Sequence, residues 1–131
     1  YMARKNAGAV IHLHGTHSVA LSCLPVADPD DALPKLTAYG HIQCGHVAML
    51  PYYRPGDEKL AEAVRQKSHK HWSILLAHHG PVVAGKTLQS AMYATEELEQ
   101  TARLALMLRG ADPNTLNAEQ IADLDRHFPP W

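Results

Sequence analysis

The sequence predicts an α/β domain, and three features of the 131-residue chain support this fold class. Two apolar runs of strand length, near residues 8–14 and 72–78, each lead into histidine and glycine. A long segment at 88–109 repeats apolar side chains with the 3.6-residue period of a helix. Apolar residues make up 46% of the sequence, which is enough for a core, and strands alternating with covering helices define an α/β domain.

The N-terminal half is predicted to contain two strand regions separated by a helix and a loop. Residues 1–6 carry basic side chains typical of the tail of a helix, and the β-forming side chains of 8–14 predict a strand. A short helix is expected over 16–24, with Val19, Ala20 and Cys23 on one side. Residues 25–34 are rich in turn formers, and 36–50 suggests a strand, a loop and a short strand at its end.

The C-terminal half is predicted to alternate helices with strands. An amphipathic pattern predicts a helix over 58–69, and the near-continuous apolar run at 72–78 is typical of a strand covered on both faces. A short strand at 80–85 precedes the long helix, and a polar tail at 111–131 holds a helical turn at 118–127 and is expected to be peripheral. The expected helix N-caps and the terminator of the long helix are Asp57, Thr87 and Gly110.

Composition excludes several classes of function. The formal net charge of -1 gives no indication of a nucleic-acid partner or of binding to an anionic membrane, and no apolar run approaches the length of a membrane span. Cys23 and Cys44 form no CxxC pair, so a reducing cytoplasm is the simplest compartment. The chain length fits a single domain over 1–131. Because residues 1–6 have little N-terminal character, we expect a fragment with an upstream part.

The histidines are the candidate functional residues. His12 and His14 share one face of the predicted strand, because successive side chains of a strand point to opposite faces. Two neighbouring imidazoles suit a divalent metal, with a third ligand from His79 or His78 at the end of the second apolar run. The position of His79 beside Gly80 favours His79. The alternative is that each is an ordinary polar histidine at a strand end.

Other polar residues have a structural interpretation. His17 either lies near the cluster or bonds to backbone at the start of a helix. Solvated surface positions are expected for the three glutamates of the long helix and ordinary polar roles for four further histidines: Glu96, Glu97, Glu99, His41, His46, His69 and His71.

The segments that contain the clustered histidines resemble the class II aldolase/adducin family. The resemblance covers about residues 7–110 and is carried by 10–14, 75–85 and 94–99. Within the family the chain is most similar to the 3-oxo-tetronate 4-phosphate decarboxylases, on segments 14–20, 28–31, 51–57 and 80–86.

This resemblance implies a three-layer α/β/α fold around a largely antiparallel sheet, in a homotetramer with sites at subunit interfaces. It implies that His12, His14 and His79 are the ligands of one Zn2+ per subunit, or of another divalent metal. The family's phosphate-binding loops and its acidic catalytic residue lie upstream of 10–14. The catalytic residue is therefore unknown here, and the chain corresponds to the C-terminal portion of the family's domain. Tyr39 lies in the region of a tyrosine that members contribute across the interface.

The function implied by the resemblance is that of a metal-dependent carbon–carbon lyase acting on a phosphorylated sugar acid. The reaction would be zinc-dependent decarboxylation of 3-oxo-tetronate 4-phosphate to dihydroxyacetone phosphate and CO2 through a metal-stabilised enediolate. Whether residues 1–131 are active alone stays open. A sugar-phosphate aldolase or 4-epimerase is the first alternative, because an aldol cleavage passes through the same kind of intermediate. A non-enzymatic, adducin-like assembly module is the second, and it predicts lost metal ligands.

Overall fold

A single four-stranded sheet forms the centre of the computed structural model, which describes residues 1–131. The strands are β1 (Ala9–His12), β2 (Ala48–Leu50), β3 (Ser73–Leu76) and β4 (Gly80–Gly85). Their order across the sheet is β1-β4-β3-β2. β4 is antiparallel to both β1 and β3, and only the β2–β3 pair is parallel, so the sheet is largely antiparallel as the resemblance implies.

Five helices surround this sheet. They are α1 (Thr16–Ser22), α2 (Ala38–Cys44), α3 (Glu58–Lys67), α4 (Leu88–Met107) and α5 (Ala118–His127). The predicted N-caps are confirmed, because the Asp57 side chain accepts from the Lys59 N–H and the Thr87 side chain accepts from the Ser90 N–H. None of the helices combines the length and apolar character that a membrane crossing needs.

Helices cover both faces of the sheet and give the predicted three-layer α/β/α arrangement. On one face α4 packs against α1, α2 and β4, and its Leu98 and Ala102 side chains are fully buried against Leu75 and Val83 of the sheet. On the other face α3 covers a smaller cluster that contains Ile74 of β3. The strands that lead into the candidate histidines are therefore covered by packed helices on both faces of the sheet.

The sequence prediction is wrong at residues 36–45, where a helix replaces the expected strand. The Thr37 hydroxyl caps α2 by accepting from the Gly40 N–H, and Gly45, with φ 64°, ends the helix. Gly40 suggests a break, but it is needed for packing, because a Cβ there would lie 2.7 Å from the Thr101 hydroxyl on α4. A glycine at a helix–helix contact allows this close approach.

The N-terminal residues also differ from the prediction, since residues 1–6 form turns and not the tail of a helix. The Arg4 guanidinium lies over the rings of Trp72 and Trp131 and donates to the Ser68 carbonyl, 3.2 Å away. The sequence predicts that the basic side chains lie at the end of a helix, but in the structure tertiary contacts hold Arg4 instead.

Several predicted elements are present but shorter. β1 ends at His12 and β3 at Leu76, two residues before the ends of the predicted strands at 14 and 78. The predicted buried faces of two helices are partly wrong. Leu88 and Met92 of α4 are exposed, as are Ala20 of α1 and Cys23 directly after it. The side chains that α1 buries are instead those of Ser18, Leu21 and Ser22.

The last segment contains the predicted helical turn as α5 and touches the domain at separate points. The Leu116 N–H donates to the Lys35 carbonyl over 2.8 Å. Asp125 of α5 pairs with His41 of α2, and the Trp131 ring lies 5.9 Å from the Trp72 ring, centroid to centroid.

Candidate metal centre

Three imidazoles converge where β1 ends and the chain turns from β3 into β4. One ring nitrogen from each of His12, His14 and His79 lies within 4.8 Å of the others. The ring centroids are 5.2 Å apart for His12 and His14, 4.8 Å for His12 and His79, and 5.0 Å for His14 and His79. A zinc ion lies about 2.1 Å from each of its histidine nitrogens. Side-chain rotations that move the ring nitrogens by about an ångström would therefore bring all three within bonding distance of one ion.

His12 is the last residue of β1, and its ring is held by the backbone of the neighbouring strand. The Nδ1 atom lies 2.8 Å from the carbonyl oxygen of Pro81, which can only accept. The proton is therefore on Nδ1, and the lone pair of Nε2 is free. A metal-ligating histidine commonly donates its second ring nitrogen to a carbonyl in this way.

The backbone at His78 and Gly80 decides which histidine of the adjacent pair joins the cluster. His78 has φ 57°, in the left-handed region, so the chain is not extended there and turns between β3 and β4. As a result His79 faces His12 and His14, whereas the exposed His78 ring lies 6.1 Å from that of Tyr52. Of the two alternatives left by the sequence, the structure brings His79 into the cluster.

Gly80 allows the turn to approach the end of β1 closely. Its φ is 145°, and a Cβ at this position would lie 2.5 Å from the carbonyl oxygen of Leu13. The distance is shorter than any real Cβ contact, so the residue after His79 must be glycine if His79 is to lie this close to His14.

The surroundings of His79 favour its neutral form. Burial of the ring, and then the proximity of His12 and His14, lower the pKa of His79. No carboxylate belongs to the cluster. The Nδ1 atom of His79 is buried without a hydrogen-bond partner in the protein. Three neutral imidazoles suit zinc and other borderline divalent metals, so the residues present fit the metal that the resemblance implies.

His17 and Glu99 form a separate pair beside this cluster. Glu99 of α4 accepts from the N–H of His17 at 2.7 Å, from the N–H of Ser18 at 3.0 Å and from the His17 ring nitrogen at 2.9 Å. Burial raises the pKa of Glu99, but hydrogen bonds from His17 and Ser18 outweigh this effect and the net pKa is lowered. The expectation that Glu99 is a solvated surface residue is therefore wrong, and His17 bonds to a carboxylate where a backbone partner was the alternative.

Two of the histidines expected to be ordinary polar residues are buried. The Nε2 of His41 donates to the Asp125 carboxylate at 2.8 Å, and the Nδ1 of His71 donates to the carbonyl oxygen of His46 at 2.8 Å. The exposed His46 pairs with Asp31 at 3.1 Å. These hydrogen bonds give His41 and His71 structural polar roles inside the fold, whereas His69 is exposed.

A cavity lies beside the cluster and does not include it. It has a volume of about 610 Å³, and its lining includes Leu13, Tyr39 and Tyr93 together with Glu96, Glu97 and Glu99. Tyr39 is 68% exposed on α2, while the rings of His12 and His14 are open to solvent. The imidazoles therefore form a surface site within one chain.

The family profile described as Class II Aldolase and Adducin N-terminal domain matches residues 1–106. A 3-oxo-tetronate 4-phosphate decarboxylase of Pectobacterium atrosepticum is 44% identical over 116 residues, which are 88% of this chain and 53% of that protein. One of Haemophilus influenzae is 39% identical over 125 residues, covering 95% of this chain and 60% of the relative. The chain thus spans little more than half the length of these curated relatives.

Solved structures agree with this assignment. The crystal structure of YgbL from Klebsiella pneumoniae, a putative aldolase/epimerase/decarboxylase, superposes with a TM-score of 0.91 at 40% identity, over 95% of this chain and 60% of the other. An L-fuculose 1-phosphate aldolase superposes with a TM-score of 0.81 at 25% identity, over 98% and 58% of the two chains. The family profile, the relatives and the fold together show that this chain belongs to the class II aldolase/adducin family.

Proposed function

We propose that His12, His14 and His79 hold one divalent metal ion per chain, and that this ion is zinc. The convergence of three imidazoles within 4.8 Å is the observation that carries the proposal. The Pro81 carbonyl supports it by orienting the His12 ring, and the lowered pKa of His79 supports it because only neutral imidazole ligates. A three-histidine site leaves a coordination position for a substrate, which is the pattern of catalytic metal sites.

The whole protein would act as a lyase that decarboxylates 3-oxo-tetronate 4-phosphate to dihydroxyacetone phosphate and CO2. Several relatives bearing the name of this activity, at 39–44% identity, support this substrate. When bound, the metal supplies Lewis-acid stabilisation of the negative charge that develops on the ketone oxygen, whose carbon is bonded to the carbon that loses CO2. The chain's own contribution is to present three converging imidazoles, two of them on exposed residues, where a substrate can reach them.

We further propose that residues 1–131 act as one domain, equivalent to the C-terminal portion of the relatives, in a cytoplasmic homotetramer. The exposure of His12 and His14 supports a site that is completed by other polypeptide. The exposed Tyr39 is the candidate for a side chain offered to the site of a neighbouring subunit. The acid–base residue is not among the residues that we assign.

Two measurements test the proposal. Metal analysis of the purified protein should find one zinc per chain, or one per chain after zinc is added and the excess is removed. With 3-oxo-tetronate 4-phosphate, the zinc-loaded protein should release CO2 and dihydroxyacetone phosphate in equal amounts and no aldehyde. A protein that takes up no divalent metal would contradict the site, whereas metal uptake without turnover would contradict only the reaction.

A sugar-phosphate aldolase or 4-epimerase is the second candidate. A relative named L-fuculose phosphate aldolase from Haemophilus influenzae, 33% identical over 123 residues, favours it. Release of an aldehyde from a ketose phosphate, with no CO2, would identify an aldolase. Interconversion of two epimers without cleavage would identify an epimerase. An adducin-like assembly module is the least supported candidate, because all three candidate ligands are in place.

A further inference from the structure

His14 differs from the other two histidines of the cluster in how it is held. His12 belongs to β1, and its ring is fixed by the Pro81 carbonyl, while His79 lies in a turn whose backbone is constrained at Gly80. His14 follows the end of β1, outside any strand or helix, and no hydrogen bond from the protein holds its ring. Its position must come from the backbone on either side.

On the N-terminal side, the backbone of His14 is limited by the turn that carries His79. A Cβ at Gly80 would lie 2.5 Å from the Leu13 carbonyl oxygen and 3.5 Å from the His14 Cα. This contact prevents movement towards the turn, but it places no limit on movement away from it. The remaining restraint has to come from the C-terminal side.

On the C-terminal side lies the start of α1, which has no cap of its own. Gly15 is the N-cap residue and has no side chain that could accept from the first N–H groups of the helix. Glu99, on the neighbouring α4, takes this role by accepting from the N–H groups of His17 and Ser18, the second and third residues of α1. These are the donors that an N-cap side chain normally satisfies.

The Glu99 carboxylate also fits tightly against the residue next to His14. A Cβ at Gly15 would lie 2.3 Å from Oε2 of Glu99, and the Gly15 carbonyl accepts from the Val19 N–H at 2.8 Å. Gly15 is thus enclosed between a carboxylate from α4 and the first turn of α1. Because one peptide unit links Gly15 to His14, any shift of this helix start moves the imidazole.

We propose that Glu99 is a positioning residue for the metal centre, which it serves by fixing the start of α1 and thereby the backbone of His14. This inference rests on the proposed metal site. It gives Glu99 no contact with the metal or the substrate. It predicts that the loss of the carboxylate weakens metal binding in a chain that is still folded.

The test compares Glu99→Gln with Glu96→Gln, an exposed position on the same helix. Zinc affinity is measured by competition with a chromophoric chelator, and the visible spectrum of the Co2+-loaded protein reports the ligand geometry. We expect Glu99→Gln to bind about tenfold or more weakly, as for other residues that orient metal ligands, with an altered Co2+ spectrum. Glu96→Gln should match the unaltered protein in both measurements.

A second pair of variants separates positioning from general stability. Glu99→Ala should lose metal affinity, and the double variant Gly15→Asp/Glu99→Ala should regain most of it, because the new side chain can cap α1 in the space that Glu99 leaves once the Ser18 hydroxyl, 2.8 Å from the new Cβ, rotates away. The φ of -65° and ψ of 137° at Gly15 are open to any residue. All affinities are compared at a temperature where circular dichroism shows each variant folded.

Three outcomes would overturn the inference. Glu99→Gln could lower the melting temperature and leave zinc affinity and the Co2+ spectrum unchanged, which would make Glu99 a helix cap only. The double variant could regain stability without regaining metal affinity, which would break the link through α1. If the unaltered protein binds no metal, the proposed function fails, and the role of Glu99 fails with it.

Discussion

Two groups of histidines in this molecule show how the partners of a side chain determine its use. In the cluster of His12, His14 and His79, the rings face one another and no carboxylate takes part. In the second group, His41 pairs with Asp125 and His46 with Asp31, although their two rings are also only 5.6 Å apart. Similar spacing between rings therefore accompanies two different environments.

The difference lies in where the ring nitrogens point. The carboxylates of the second group each occupy a ring nitrogen, so these pairs join α5 to α2 and the loop around Asp31 to the residue that follows Gly45. In the cluster no carboxylate occupies a ring nitrogen, and burial, followed by the proximity of His12 and His14, lowers the pKa of His79.

Removal of one imidazole from the cluster should have the largest effect. We expect His79→Ala to reduce bound zinc from one per chain to a small fraction, because two ligands hold a metal far more weakly than three. His46→Ala removes a more exposed histidine from the second group and should leave the stoichiometry at one. Elemental analysis after dialysis measures both. Equal metal loss in the two variants would remove the distinction between the groups.

Acidification should release the metal while the second group stays paired. Ligating histidines must be neutral, so we expect zinc bound at pH 7.5 to be released by about pH 5, below the ordinary histidine pKa of about 6.5. The pKa of His79 is lowered, so this ligand remains neutral to a lower pH than an ordinary histidine. The pair of His41 and Asp125 needs no neutral imidazole, so we expect it to persist when the metal is released.

Equilibrium dialysis across this pH range measures the release, and circular dichroism checks the fold. Metal retained at pH 5 would indicate ligands other than imidazole. Loss of helix content in parallel with the metal would indicate that the protein unfolds, which the contrast between the groups does not predict.

Gly80→Ala should distort the cluster without removing a ligand. The added Cβ meets the Leu13 carbonyl and the backbone has φ 145°, so we expect about tenfold weaker zinc binding and a loss of about 1–3 kcal/mol in the free energy of unfolding. Gly110→Ala is the matched control, since Gly110 also has a positive φ, of 82°, but no atom lies within 4 Å of its Cβ position. Chelator competition and denaturant titration give the two quantities. A normal zinc affinity in Gly80→Ala would show that the turn can adjust.

Asp125→Ala should have the smallest effect on metal binding and a measurable one on stability. It leaves the buried ring of His41 without its partner, and we expect a loss of about 1 kcal/mol in the free energy of unfolding, with zinc affinity unchanged. Asp123→Ala, which removes an exposed carboxylate from the same helix, should cost less. Thermal unfolding compares the two variants. A change in zinc affinity in Asp125→Ala would show that the two groups are coupled.

Local sequence signals predicted the elements that end in a cap or consist of a regular apolar pattern. The Thr87 cap and the period of α4 are of this kind, as is the short strand from Gly80. His12 and His14 could be paired from their spacing alone, because the period of a strand is independent of the rest of the fold. The place of His79 beside Gly80 favoured it over His78, but the physical reason, a left-handed backbone at His78 that turns the two rings apart, is visible only in the structure.

The missed features depend on residues that are distant in the sequence. Glu99 lies 82 positions from His17, and His41 lies 84 positions from Asp125. No local sequence pattern therefore predicts either pair. The helix α2 was missed because Gly40 disfavours a helix locally, while the reason for it is the approach of Thr101 on another helix. In each case the deciding contact exists only once α4 or α5 has packed.

The hydrogen bond from the His12 ring to the Pro81 carbonyl joins two points that are 69 positions apart in the chain. A metal ion bound by His12, His14 and His79 would therefore link the start of the chain to its middle. A ligand that binds only the folded form stabilises it, by an amount that grows with the logarithm of the ligand concentration above Kd. The proposed zinc ion would therefore make the folded chain more resistant to unfolding and to proteolysis.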